Sequence, residues 1–521
     1  MIIFVAILGI SIRIADIMLA KAPVSGVSTG KRIDISTLRG TVYDCNTEPL
    51  TNNGYELWSA VKPTVRALEK LKTELDEETV SSLRKRMEKA SPIIIKTVDG
   101  IYDCPDIATV SLPQRYAESS LACHIIGYLD SSGEGISGIE KIYNTVLSKD
   151  RKSVYARFST DANGRVLLGE SIEFSDYTAP KSGVILTLDK NIQMITENAL
   201  DESGAECAAA VVIEVESGAI RACVSRPLFN RENLAESLND EKSPLINRAF
   251  MPFSVGSVFK PVVAAAALES GIEETFEYNC TGSVELNGVT FNCHKNEGHG
   301  VLNMKGAVSD SCNTYFISLA QKIGAERVID TASLFGFGKE TALDDNISSY
   351  AGNLPSADEI DSKAMLANLS FGQGALTATP IQICSMVASI ANGGVYCQPY
   401  LVEGMVDDER NVTAIRHYSE RKQIISESAA NKLKLFLLSV VEEGSGRRAK
   451  SNFVSVAGKT ATAQTGKFKN NEEIYNAWFA GFFPFENPKY AVVIMKEDGG
   501  EGAISCAPVF RKIAEEIAEN E

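Results

Sequence analysis

Apolar positions change texture along the chain. From Gly183 they gather into strand-length runs: VILTLD precedes NIQMITENALDE, whose apolar residues recur at helical spacing, and AAAVVIEV is joined to Ala219–Val224 across Glu216-Ser217-Gly218, a hairpin signature. Towards the C-terminus NAWFAGFFP and YAVVIMK read as strands, and PVFRKIAEEIAE reads as an amphipathic helix. The pattern predicts a compact domain over residues 180–521, an antiparallel sheet flanked by helices from both ends of that domain. Residues 21–179 are more polar and irregular. There LKTELDEETVSSLRKRMEKA predicts one solvated helix with charges of mixed sign, among short strand-like runs and turns such as Asn163-Gly164. This half reads as a non-catalytic α+β module. The first residues, MIIFVAILGISI, are apolar up to Arg13 and Asp16, short of the roughly 18 to 20 residues of a spanning helix. With no small-residue cleavage pattern after them, residues 1–20 are expected to form an uncleaved membrane anchor, the alternative being an amphipathic or core helix.

Composition narrows the function classes. A chain of 521 residues with 44% hydrophobic content has apolar material for more than one core. Its net charge of −16 and the lack of any basic run interleaved with aromatics exclude the electrostatic footprint of a nucleic-acid binder. Eleven cysteines are scattered without a CxxC pair, so the spacing suggests neither zinc nor a redox dithiol, and no motif calls for a metal or cofactor. Most of these cysteines read as small core residues. Cys280 and Cys293 stand apart because they bracket VELNGVTFN, where Asn287-Gly288 predicts a tight hairpin that brings them close. A disulfide and a pair of free thiols are equally compatible with that spacing.

The candidate chemistry begins at Gly256-Ser257, which opens the helical run SVFKPVVAAAALES, stopped by Gly271. Pro261 is tolerated there because the first backbone N–H groups of a helix have no helical partner. Lys260 lies one turn after Ser257 on the same face, within reach of its hydroxyl. The same Ser-x-x-Lys spacing occurs at Ser28/Lys31, Ser59/Lys62, Ser82/Lys85 and Ser419/Lys422, all in polar stretches that predict solvated faces. Only Lys260 stands on an apolar, alanine-rich helix, where burial lowers a lysine pKa towards that of a useful base. Downstream, VSDSCNTYFISLAQKIG offers Ser311 and Asn313 just before another apolar helix, and VSVAGKTATAQTG puts Lys459, Thr460, Ala461 and Thr462 on a strand whose alternation turns Thr460 and Thr462 the same way.

The order Ser-x-x-Lys, Ser-x-Asn, Lys-Thr resembles the active-site signature of penicillin-binding proteins and serine β-lactamases. RGTVYDCN at Arg39–Asn46 and SGIEKIYN at Ser137–Asn144 resemble boxes of the class B pedestal, and SFGQGALTATPIQ at Ser370–Gln382 resembles a transpeptidase-domain signature. Cys45, Thr47 and Ala461 depart from the family pattern, which has Arg, Gly and Gly there. The resemblance implies an α+β fold: an anchor at 1–20, a pedestal at 21–179, and a transpeptidase domain at 180–521 with a five-stranded antiparallel sheet between helices. It implies that Ser257 attacks the penultimate D-alanine carbonyl of a peptidoglycan stem peptide while Lys260 takes its proton. Ser311 and Lys459 would relay protons, Asn313 would bond the substrate amide, and Thr460 and Thr462 would hold its carboxylate. The N–H groups of Ser257 and Thr462 would form the oxyanion hole. β-Lactams would acylate the same serine, the catalytic domain would stand outside the cell membrane, and glycan polymerisation would fall to a partner of the membrane-embedded SEDS class. The rival readings are a D,D-carboxypeptidase or β-lactamase, or a binding module such as a β-lactam sensor or a scaffold. The long pedestal argues against the hydrolases and the intact motif residues against a scaffold.

Overall fold

The structure is a computed structural model that describes residues 30–521 apart from 89, 90, 98, 102, 103, 118–120, 162, 232 and 416–419. The expected anchor at 1–20 lies outside the described residues, as do Ser28 and Ser419. Among the described residues no helix is long and apolar enough to cross a membrane.

The chain divides into two compact units. The first comprises, among the described residues, 30–39, Thr51–Ala117 and Asp150–Pro180. One of its sheets runs Lys31–Leu38, Lys152–Phe158, Glu173–Phe174, and the other places Gly54–Val61 between Ile93–Thr97 and Ile107–Gln114. Val61, Leu71, Leu83 and Ile93 form a shared core beneath two helices, Val65–Glu74 and Glu77–Met87. The sequence pattern had suggested one helix here. The break falls at Leu75, whose backbone is extended, because the Asp76 carboxylate accepts from Thr79 N at 2.8 Å and so caps a new helix. A second correction concerns Ser59 and Lys62, expected on a solvated face. Both are buried: Ser59 Oγ shares a hydrogen bond with Thr109 Oγ1 at 2.8 Å, and Lys62 Nζ donates to the carbonyls of Leu168 and Glu170.

The second unit comprises Gly40–Leu50, Glu118–Lys149 and Lys181–Glu521. Its centre is a five-stranded, wholly antiparallel sheet of β1 (Ala208–Glu214), β2 (Ile220–Arg226), β3 (Ala457–Lys469), β4 (Glu472–Phe483) and β5 (Tyr490–Lys496), in the order β2-β1-β5-β4-β3. The apolar runs at both ends of this unit thus meet in one sheet. On one face lie α1 (Lys190–Glu202) and α6 (Ala507–Glu519), where Ile195, Leu200, Phe479 and Phe510 close a core. Also packed on the sheet is α4 (Pro380–Ala391), buried along its whole length and started by a Thr379–Gln382 capping box. Three more helices border the candidate site: α3 (Asn313–Ile323) and α5 (Glu427–Glu442) both pack on α2 (Lys260–Glu269).

The sequence analysis assigned residues 40–50 and 118–149 to the non-catalytic half, yet they pack with the second unit. The reason lies in the RGTVYDCN segment. Thr41–Tyr43 pairs in parallel with Gly183–Ile185, and Gly183 leaves no room for a side chain, since a Cβ would stand 1.7 Å from Thr41 O. The Asp44 carboxylate then accepts from the N–H groups of Asn46, Glu48 and Lys190, and Asn46 Nδ2 donates to Asp189 Oδ2 at 2.9 Å. Within the same turn Thr47 has φ +62°, a left-handed conformation unusual for a β-branched residue.

Candidate active site

Ser257 sits in a 3₁₀ turn, Gly256–Phe259, that runs into α2. The sequence pattern had placed it at the start of the α-helix itself. Lys260 N donates to Ser257 O, and in a 3₁₀ turn residues three apart stack on one side, which aligns Ser257 with Lys260. Two glycines hold the turn. Gly256 has φ +59° and lies against Ala463 of β3, while Gly256 N donates to Gly372 O at 2.9 Å. The SFGQG loop is thus a brace for the nucleophile's turn, and Trp478 Nε1 on β4 adds a hydrogen bond to Ser254 O at 3.0 Å.

Lys260 is fully buried, and its ammonium is gathered by the Ser-x-Asn loop: Nζ donates to Ser311 O at 2.5 Å, to Asn313 Oδ1 at 2.8 Å and to Ser311 Oγ at 3.1 Å. Ser311 adopts φ +57°, a strained backbone that turns both its carbonyl and its hydroxyl towards the lysine. Burial brings the Lys260 pKa down to about 7, the Cys312 and Cys293 thiols opposing the shift. Lys459 is equally enclosed and donates to Thr460 O at 3.0 Å. Its pKa lies well below the lysine range, first through burial, then through repulsion from Lys260, with Asp310 opposing.

A cavity of about 650 Å³ opens over these groups, lined by Ser257, Ser311, Asn313, Thr460, Ala461 and Thr462 among others. The residues picked out in the sequence are therefore brought together, with Lys260 and Lys459 beneath the walls. Sequence reasoning missed Ser445, whose hydroxyl shares a hydrogen bond with Thr460 Oγ1 at 3.2 Å; its Gly444-Ser445-Gly446 context after α5 was the available signal. Thr462 Oγ1 accepts from Gly502 N at 3.3 Å. The expected hairpin of Ser283–Leu286 and Val289–Asn292 forms around Asn287-Gly288, and the sulfurs of Cys280 and Cys293 lie close together, both as free thiols.

A half-buried serine, a buried lysine one turn on whose pKa falls to about 7, and a cleft lined by hydroxyl and amide groups define a serine acyl-transferase site. Comparison with known proteins is specific. Residues 208–515 match the family model described as the penicillin binding protein transpeptidase domain. Stage V sporulation protein D of Bacillus subtilis is 30% identical over 463 residues, covering 85% of this chain and 68% of that protein. The peptidoglycan D,D-transpeptidase MrdA of Escherichia coli K12 is 26% identical over 569 residues, covering 94% and 87%. Among solved structures, the D,D-transpeptidase domain of a peptidoglycan glycosyltransferase from Eggerthella lenta superposes with a TM-score of 0.66 at 25% identity, covering 93% of this chain and 98% of that one. Penicillin binding protein 3 from Mycobacterium tuberculosis complexed with ampicillin gives 0.67 at 25% identity, covering 94% and 96%. The chain belongs to the penicillin-binding protein transpeptidase family, in its class B branch.

Proposed function

We propose that this protein is a peptidoglycan D,D-transpeptidase that cross-links stem peptides through an acyl-enzyme on Ser257 and is acylated there by β-lactams. The observation that carries this is the buried Lys260, held by Ser311 and Asn313 directly behind the Ser257 turn with its pKa at about 7. A lysine near neutrality accepts the Ser257 proton as Oγ bonds to the penultimate D-alanine carbonyl. When the tetrahedral intermediate collapses, the carbon–nitrogen bond to the terminal D-alanine breaks and the leaving amine takes a proton relayed by Lys260 through Ser311. An amine from a neighbouring stem then attacks the ester; its proton passes through Ser311, beside Lys459, to Lys260 and on to Ser257 Oγ as the ester carbon–oxygen bond breaks, which frees Ser257. The Ser257 and Thr462 N–H groups stabilise the oxyanion, Asn313 bonds the substrate amide, and Thr460 and Thr462 receive the terminal carboxylate. Burial keeps Lys459 well below the ordinary lysine range, and a carboxylate bound nearby would favour its protonated form, so substrate binding itself supplies the charge that makes Lys459 a partner.

The test is release of D-alanine from a stem pentapeptide together with formation of a cross-linked dimer on adding an acceptor amine. Hydrolysis with no dimer at any acceptor concentration would reassign the protein to the carboxypeptidases. We further propose that residues 1–20 anchor the chain in the cell membrane with the catalytic unit outside it, motivated by their apolar character. There the partner would be a SEDS-class glycan polymerase, which would supply the strands that this site joins.

A further inference from the structure

Three cysteines and a histidine distant in sequence converge beside the Ser-x-Asn loop. The ligand atoms of Cys280, Cys293, His299 and Cys312 all lie within 4.8 Å of one another. His299 Nδ1 is 3.5 Å from the sulfurs of both Cys280 and Cys293, and Cys293 Sγ is 3.9 Å from Cys312 Sγ. Zinc–sulfur bonds of about 2.3 Å and zinc–nitrogen bonds of about 2.0 to 2.1 Å, set tetrahedrally, require ligand-to-ligand edges of roughly 3.5 to 3.8 Å. The observed separations already approach those edges. The sulfurs are also well short of covalent pairing, and all three cysteines are buried.

The chain around this cluster is shaped to enclose it. Cys280 ends the strand Tyr278–Cys280, paired with Gly300–Leu302, and Cys293 follows the hairpin, its N–H bonded to Gly282 O at 2.8 Å. Gly282 and Gly298, both at positive φ, bring the two loops into contact: a Cβ on Gly298 would lie 2.2 Å from Cys280 O, and one on Gly282 1.9 Å from Asn296 O. Cys312 arrives from a third direction as the residue before α3, with Thr314 Oγ1 3.4 Å from its sulfur. Three sequence-distant segments therefore deliver soft donors to one enclosed point, a donor set suited to a closed structural zinc site.

We propose that Cys280, Cys293, His299 and Cys312 bind one zinc ion, and that this ion positions the Ser-x-Asn loop for catalysis. Binding replaces the thiol protons, which leave to solvent, with three sulfur–zinc bonds and one nitrogen–zinc bond, so no oxidant or reductant is needed. Cys312 lies between Ser311 and Asn313, the two residues that hold Lys260, and Asn313 Nδ2 donates back to Asn292 O, next to Cys293. Fixing Cys312 to the 280–299 loops fixes both neighbours. The positioning role rests on the acyl-transferase reading above; the zinc site does not.

The test uses the full chain purified under reducing conditions, with metal content measured by mass spectrometry and Co²⁺ exchanged in as a spectroscopic probe. The expected result is one zinc per chain and a Co²⁺ spectrum of tetrahedral thiolate type. Cys293→Ser and His299→Ala should lose most of the metal, whereas Cys45→Ser should keep it. Removing zinc from the wild-type chain should slow penicillin acylation of Ser257 at least tenfold, with recovery when Zn²⁺ is returned. A folded wild-type chain that takes up no Zn²⁺, or variants that retain a full equivalent, would overturn the site. Equal acylation with and without bound zinc would overturn the positioning role. Zinc bound with no acylation in any state would leave the metal site standing and sink the acyl-transferase reading instead.

Discussion

Lys260 carries a cost and a use that share one origin. Buried, with its pKa brought down to about 7, it binds its proton less readily in the folded chain than in the unfolded one. Between that value and the ordinary lysine range the unfolded chain holds the extra proton, so stability gained from this residue rises with pH across that window and is absent below it. For catalysis the direction is the same: the base is free above about 7. The second-order rate of β-lactam acylation is therefore expected to climb with pH through this point. Lys260→Met should abolish acylation at every pH while raising the melting temperature at pH 7, since it removes a buried amine whose protonation the fold disfavours. A pH-independent rate in the native protein would contradict the assignment of Lys260 as base. Thr47 illustrates a different economy. It stands where the resembling family has glycine and adopts φ +62°, so Thr47→Gly should relieve strain and stabilise the second unit by about 1 kcal/mol, read as a higher urea midpoint. Both residues were legible in the sequence as motif positions. The strain at Thr47 and at Ser311 was not, because dihedral angles depend on what surrounds a turn as well as on its residues.

At the scale of elements, the 3₁₀ turn at Ser257 is only as well placed as the loop that braces it. A Cβ on Gly372 would stand 2.0 Å from Gly256 O, and Gly372 itself is at φ +77°. Gly372→Ala is expected to displace the turn, so that acylation falls at least a hundredfold while far-ultraviolet circular dichroism is kept. An unchanged rate would show that the brace is dispensable. Ala461 on β3 is a milder case: it lines the cleft and is accommodated there, so Ala461→Gly should leave the fold intact and change acylation only modestly. Long periodic runs announced β1, β4, β5, α1, α2 and α6 in the sequence, since one buried face dictates their spacing. The split at Asp76 was missed because mixed charges run continuously across it and a single capping carboxylate decides the boundary. Burial of Lys62 was missed because the carbonyls that receive it come from residues 168 and 170, far along the chain. The hairpin made the approach of Cys280 and Cys293 legible, but the same limitation hid the arrival of His299 and Cys312 beside them.

For the whole molecule, the central sheet shows why a sequence can announce a site from triplets scattered over two hundred residues. β3 carries Lys459, Thr460 and Thr462 along the edge of the sheet, and the turn bearing Ser257 packs directly on it. Ser311 and Asn313 then close the cleft from the third side. The proposed anchor adds a cellular expectation: the full chain should fractionate with membranes, and its appearance in the soluble fraction with residues 1–20 intact would refute that part. The claim on which the rest depends is that Ser257 alone is the acylated nucleophile. Intact-mass analysis after penicillin treatment, followed by peptide mapping and repeated on Ser257→Ala, tests it most directly. A single persistent adduct on the peptide containing Ser257, absent from Ser257→Ala, is the expected result; an adduct that survives the substitution, or that maps to Ser59 or Ser82, would contradict it.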